Sequence, residues 1–268
     1  MLLSRPIDST TPSRAYAVLH EIARFGVKQA QACLFGIVML TLMLVTRHVY
    51  PDWMPIHRYD FLFLAALAAQ AILLARRMET LEEAKIIALY HVIGTVMELF
   101  KTSVGAWIYP EPGLFHIGSV PLFSGFMYSC VGSYLCRAWR LFDLKFTGHP
   151  SQTSLAILSV LIYCNFFAHH YLPDIRIALF ALTAVLFLRT RIHFRVWQAV
   201  RSVPLLPGFV LIALFIWIAE NIGTYSRVWL YPSQMDGWEP VSIAKMGSWF
   251  LLMIVSYTLV AMVNKPKA

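Results

Sequence analysis

Two glutamates stand in matching surroundings within apolar stretches of the chain. The first opens Glu98-Leu-Phe-Lys101-Thr102-Ser-Val-Gly-Ala-Trp107-Ile-Tyr109-Pro110. The second opens Glu220-Asn221-Ile-Gly-Thr224-Tyr-Ser-Arg-Val-Trp229-Leu-Tyr231-Pro232. Both read E-x3-T-x4-W-x-Y-P, 122 residues apart. An ionisable side chain inside an apolar segment is expensive and points by default to function. Two carboxyls sharing one dry cavity cannot both stay charged. One would hold a proton while the other stays ionised, as general acid/base work requires. Protonation or hydration of an isoprenoid, or a proton-coupled transport step, could each use such a pair.

Glu98 and Glu220 are therefore the candidate catalytic residues. His91 precedes Glu98 by two helical turns on the same face. With Lys101 and Asn221, it is a candidate for tuning or orienting the pair. Trp107, Tyr109, Thr224, Trp229, Tyr231, Lys245, His169, His170 and Asp174 are candidates for binding a substrate around it. A plainer account pairs Glu98 with Lys101 and Glu220 with Lys245, each charge offsetting the burial of its partner.

His91, His169, His170, Glu98, Glu220 and Asp174 are also of the right types to ligate iron or zinc. They show no H-x3-H, H-E-x-x-H or E-x-x-H spacing, so no metal is expected and no cofactor is specified. Walker, G-x-G-x-x-G and G-x-S-x-G motifs are absent, which removes nucleotide-driven and serine-hydrolase chemistry. Cys33, Cys130, Cys136 and Cys164 form no C-x-x-C pair and read as small buried hydrophobes. Ser124, Ser129 and Ser133 read as helix-packing residues. His116 and His149 read as solvated loop residues.

The elements that must position these groups are apolar. Of the 268 residues, 59% are hydrophobic and 13% charged, against about 25% charged in a soluble domain; mean hydropathy is +0.64. The net charge of +8 is spread between the apolar runs, without an aromatic-interleaved basic stripe, so nucleic acid is not an expected partner. Membrane lipids are. Spans are expected at 29–47, 59–75, 84–104, 119–138, 152–170, 174–189, 204–222 and 241–263. An interfacial helix is expected over 12–28, capped by Thr11 with Pro12 in its first turn. Ala15, Val18, Leu19, Ile22 and Phe25 share one of its faces. The polar segment before Gln29 lacks the order of a signal peptide.

Eight spans would place sixteen Lys and Arg residues on the side of the N-terminus and only Arg47, Arg58, Arg176 and Arg227 on the other. That asymmetry predicts a plasma (inner) membrane protein with both termini cytoplasmic.

The repeated motif predicts a duplication. Ser133-Tyr134 and Ser256-Tyr257 echo one another, and Asp60 and Asp174 both open spans. The expected fold is an all-α bundle of eight transmembrane helices built from two four-helix units. The first covers about 29–145 and the second 150–263, followed by a short tail over 264–268. An even number of spans per unit gives a pseudo-two-fold axis along the membrane normal. Gly118, Gly125 and Gly132 recur every seven residues and predict a close helix contact.

The strings Glu98-Leu-Phe-Lys101, Val120-Pro-Leu-Phe-Ser-Gly-Phe-Met-Tyr128, Asn165-Phe-Phe-Ala-His-His170 and Trp217-Ile-Ala-Glu-Asn-Ile-Gly-Thr224 resemble the YoaT-type bacterial integral membrane family. That likeness runs over nearly the whole chain. It implies a membrane bundle and assigns no catalytic residues. Glu98, Gly105, Trp107, Tyr109, Val120 and Pro121 also look like the pattern of small membrane lycopene cyclases and carotenoid hydratases, without the cyclases' doubled acidic pair. This second likeness implies an isoprenoid substrate.

The leading expectation is a membrane-embedded acid/base enzyme acting on a lipid or isoprenoid. The alternative is a small-solute or proton-coupled transporter with its site between the halves, and the third reading is a non-catalytic accessory protein. Pro121, Pro204, Pro207 and Pro240 fall at span ends and only Gly94 near a centre, which favours a fixed cavity over a gating helix break.

Overall fold

The computed structural model describes residues 14–51, 53–264 and 266. Arg5, Thr11, Pro12, Lys265 and Lys267 lie outside the described residues. The chain is mainly helical. Helices α1 (Arg14–Ala32) and α2 (Leu34–Val49) meet at Cys33, where the axis bends by 68°. They are followed by α3 (Arg58–Ala75), α4 (Leu81–Ser103), α5 (Phe123–Leu141), α6 (Gln152–Ala168), α7 (Arg176–Phe187), α8 (Leu205–Tyr225) and α9 (Ala244–Asn264). The turn at Cys33 assigns Gln29–Ala32, expected in the first span, to α1. Val18, Leu19, Ile22 and Phe25 of α1 are exposed.

Among the described residues three helices, α3, α8 and α9, are long and apolar enough to cross a membrane, and the bent pair α1–α2, if taken as one span, would be a fourth. The expected remaining spans are shorter or more charged. Helix α7 has 12 residues and α6 has 17, while α4 carries Glu82, Glu83, Lys85, Glu98 and Lys101. Helix α8 has a mean hydropathy of 2.0 with only 22% of that stretch buried, so its apolar surface faces outward at Val210, Leu211, Phe215 and Ile218.

The fold is not purely helical. Strand β1 (His116–Ile117) pairs antiparallel with β2 (Val120–Pro121), and Gly118 takes a positive φ of 58° in the turn between them. Strands β3 (Lys145–Thr147), β4 (Arg191–Arg195) and β5 (Val200–Pro204) form an antiparallel sheet in the order β3-β4-β5. The arginine-bearing stretch between α7 and α8 alternates polar and apolar residues, Arg191-Ile-His193-Phe-Arg195, which is the period of a strand. Ile192 and Phe194 turn inward, Phe194 against the ring of Phe142. The outer side of this hairpin holds α1. Arg201 bonds Glu21, Lys28 donates to the Arg195 carbonyl, and Arg24 lies over Trp197.

Packing between helices is partly alike in the two parts of the chain, though α3 also packs on α5 and α2 on α8 without a counterpart. Helix α4 packs on α5, α2 on α3 and α5, and α3 on α4. Likewise α8 packs on α9, α6 on α7 and α9, and α7 on α8. Helices α5 and α9 meet between the two sets. Of the three recurring glycines, Gly125 and Gly132 make the expected close contact. A Cβ there would strike His91 and Thr95, or Tyr90, of α4. Thr80 closes a capping box with Glu83 at the start of α4. Arg140 pairs with that same Glu83, and Glu79 is buried against Gln70, Ser133 and Arg137. These contacts clamp α4 to α5 at the end opposite Glu98. His149 is half-buried, bonding the Pro150 carbonyl and the Tyr257 hydroxyl instead of solvent. Cys164 lies exposed on α6, while only Cys136 is fully buried.

Candidate active site

Both copies of the motif leave their helix in the same way. Val104, Gly105 and Ala106 donate backbone N–H groups to the carbonyls of Phe100, Thr102 and Lys101. Ser226, Arg227 and Val228 donate to Ile222, Thr224 and Gly223. Gly105 and Arg227 take the left-handed φ, 70° and 54°, that this helix-ending motif requires. Every one of these bonds maps onto its counterpart by a shift of 122 residues. The two turns then pair with each other. Ile108 and Leu230, also equivalent positions, form an isolated antiparallel bridge with two N–H···O bonds of 2.9 Å.

This turn returns the W-x-Y aromatics over the carboxylate of their own helix. Glu98 is 2% exposed. Its Oε2 accepts from Trp107 Nε1 and Tyr109 OH, each at 2.7 Å, and its Oε1 accepts from Tyr128 OH on α5 at 2.7 Å. Glu220 is 3% exposed. Its Oε1 accepts from Tyr231 OH and its Oε2 from Trp249 Nε1 on α9 at 2.6 Å. Each glutamate is thus held by the tyrosine of its own turn and by an aromatic donor from the next long helix. Such charge-assisted bonds satisfy a carboxylate that water does not reach.

The two carboxyls belong to one cluster. Trp107 packs edge-on against Tyr231 at 6.0 Å, and Tyr128 lies 6.5 Å from Trp249. Trp229 departs from the repeat. Its ring covers Gly223, where any Cβ would fall inside it, and among the described residues it gives no hydrogen bond to Glu220.

The lysines take partners other than those of the plain pairing. Lys101 is buried and turned towards α6. Its Nζ donates to the Phe166 carbonyl at 3.0 Å and meets His170 Nε2 at 2.8 Å. Lys245 lies over the Tyr231 ring at 4.4 Å, close enough to feel Glu220 without an ion pair. His169 packs on His170, their rings 4.2 Å apart. Asp174 accepts from Asn165 and Arg176. The structure therefore gathers Glu98, Glu220, Trp107, Tyr109, Tyr231, Lys245, Lys101, His169 and His170 at one end of the bundle, with Asp174 at the edge.

Three candidates have other duties. His91 stacks on Phe126 at 4.5 Å and leaves its Nδ1 unpartnered, two turns from the carboxylate. Asn221 is spent on backbone, donating to the Trp217 carbonyl and accepting from Val241 N–H. Thr224 bonds the Asn221 carbonyl and accepts from Trp238. Sequence reasoning missed the donors Tyr128 and Trp249. They stand 30 and 29 residues after their glutamates, so the repeated motif itself was the available signal. Among the described residues no three His, Cys, Asp or Glu side chains converge as metal ligands.

Comparison with known proteins places this geometry in a family. A solved mycobacterial Insig homolog from Mycobacterium vanbaalenii aligns with 70% of this chain and 98% of its own at a TM-score of 0.49 and 14% identity. The uncharacterized protein YoaT of Bacillus subtilis (strain 168) is 41% identical over 249 residues, covering 93% of this chain and 94% of its own. The family described as "Protein of unknown function (DUF817)" matches residues 21–257, and the chain belongs to it.

Proposed function

We propose that the chain is a multi-pass membrane protein of two four-helix units, with a membrane-embedded acid/base site at their junction that acts on a lipid or isoprenoid. The observation that carries this reading is the shared cluster. Two buried carboxyls, 122 residues apart in a repeated motif, lie in one aromatic enclosure beside the Ile108–Leu230 bridge. The outward apolar surface of α8 supports the membrane setting, since soluble monomers rarely expose such continuous patches. The charge asymmetry of the loops supports eight crossings of a plasma membrane with cytoplasmic termini. The short helices α6 and α7 would then cross together with their flanking turns.

The donor sets divide the roles. Glu98 meets three donors and Glu220 two, and a carboxylate offers about four lone-pair directions. Glu220, less engaged and facing Lys245, is the group that takes up and returns a proton, with Glu98 as the fixed acceptor beside it. Trp107, Tyr231 and Trp249 supply flat apolar walls suited to an unsaturated chain.

Comparing lipid extracts by mass spectrometry tests this, using a deletion strain complemented with the wild type or with Glu220→Gln. A lipid that accumulates or vanishes in both the deletion and the Glu220→Gln strain supports the enzyme and names its substrate class. Unchanged profiles in every strain overturn it. A transporter is the second reading, favoured by the position of the site between two like halves. It predicts proton movement in proteoliposomes that Glu220→Gln abolishes.

A further inference from the structure

Three of the four arginines on the outer side gather at one place. Arg47 ends α2, Arg227 follows α8, and Arg58 opens α3. Arg58 is buried and engaged, bonding the Ser226 carbonyl at 2.8 Å and Glu111 at 3.0 Å. The guanidinium groups of Arg47 and Arg227 have no hydrogen-bond or ion-pair partner among the described residues. They line a cavity of about 450 Å³ with His48, Tyr225, Gln234 and Trp238. The Tyr225 and Trp238 rings meet edge-on at 5.5 Å, giving the cavity one rigid aromatic wall. Among the described residues, Glu111 is the carboxylate that faces the arginines, and Arg58 already pairs with it. Beside them the hydroxyl of Ser226 and the Nε of Arg58 are buried without partners.

We propose that this cavity binds a phosphate group, carried on a headgroup or free. Arginines held on the outer side run against the charge asymmetry of the rest of the chain, and their convergence on one hollow calls for a negative ligand. Guanidinium groups suit the oxygens of a phosphate. The volume falls in the range of small-molecule sites and exceeds what a bare anion fills. Tyr and Trp at the rim are the side chains that sit at headgroup depth. Leu230 also lines the cavity, and the next residue, Tyr231, bonds Glu220. The anion site thus adjoins the carboxyl cluster. The proposal rests on the membrane setting given above and is independent of the acid/base role.

The same phosphate chemistry could come from a phospholipid headgroup or from free phosphate, and two measurements separate them. In the first, protein is extracted from mixed phosphatidylglycerol and phosphatidylcholine nanodiscs, and retained phosphatidylglycerol is counted by native mass spectrometry. In the second, inorganic phosphate is titrated at constant ionic strength against thermal unfolding. Loss of one charge-assisted hydrogen bond weakens binding about tenfold. Arg47→Gln should therefore lower retention, or the phosphate response, by about that factor. Arg47→Lys should keep part of it, and Arg176→Gln, an outer arginine away from the cavity, should keep all of it. Dependence on Arg47 in the first measurement alone identifies a lipid headgroup. Dependence in the second alone identifies free phosphate. Binding that ignores Arg47, or no binding in either, overturns the proposal. Glu220→Gln should leave both readouts unchanged, so failure of the catalytic reading is seen separately.

Discussion

The two glutamate sites share one backbone and differ in how their tryptophans are used. In the first, Trp107 reaches the carboxylate. In the second, Trp229 folds down onto Gly223, and the carboxylate takes its indole donor from Trp249 on another helix. The position matching Gly223 in the first copy is Lys101. A lysine there fills the slot that glycine leaves open, so Trp107 must lie elsewhere, and Glu98 is within its reach. One side chain per copy thus decides whether a carboxylate takes its indole donor from its own turn or from a neighbouring helix. Conserved backbone bonds with exchanged donors are how a symmetric pair can divide into a fixed acceptor and a working group.

The largest test of this contrast removes each acceptor. Glu98→Ala strands three buried donors, each about 1–3 kcal/mol when left unpaired, so a loss of about 4 kcal/mol or more is expected. Glu220→Ala strands two and should cost about two-thirds as much. Thermal unfolding in detergent, followed by tryptophan fluorescence, ranks them, and equal losses would break the contrast. Next comes Gly223→Ala, which pushes a methyl group into the Trp229 ring and should cost about 1–3 kcal/mol by overpacking. A variant as stable as the wild type would show that Trp229 does not need the slot.

Smaller effects are expected from single donors. Tyr128→Phe and Trp249→Phe each delete one hydrogen bond while keeping an aromatic ring, at about 1 kcal/mol. On the enzyme reading, Trp249→Phe should be the worse for lipid turnover, because it leaves Glu220 with Tyr231 alone. The smallest effect concerns the β4–β5 hairpin, which has no counterpart in the first half. The Arg201 guanidinium beside Glu21 holds that carboxyl below its ordinary value of 4.5. Its contribution is present above that pH and is lost as pH falls through the lowered folded-state value. The protection of α1 against hydrogen exchange, corrected for intrinsic rates, should therefore fall in acid for the wild type. In Arg201→Gln it should already be lower at neutral pH and change less on acidification.

Much of the site was legible because it is written twice. Glu, Trp and Tyr at equal spacings marked residues that do converge, and the polar side chains placed at one end of the spans do meet there. The donors Tyr128 and Trp249 were missed because they lie one residue out of register between the halves, which hides them from a fixed-spacing match. The lysine pairings were misjudged since i,i+3 proximity does not decide direction, and Lys101 finds a carbonyl of α6 and a histidine just after it. The β4–β5 hairpin was overlooked because its arginines drew the reading towards charge, while Ile192 and Phe194 carried the strand period. Gly105, Val120 and Pro121, which suggested carotenoid enzymes, serve here as a helix-ending glycine and a short strand.

The Ile108–Leu230 bridge has a consequence for how such a chain can change over time. A contact between equivalent residues is self-complementary, the kind by which two identical units would dimerise. It is made by backbone alone, so no substitution at either position removes its hydrogen bonds, proline excepted. The walls around it are free to drift apart in chemistry while the joint stays in register. On the duplicated reading, separately expressed halves should still find each other at that seam.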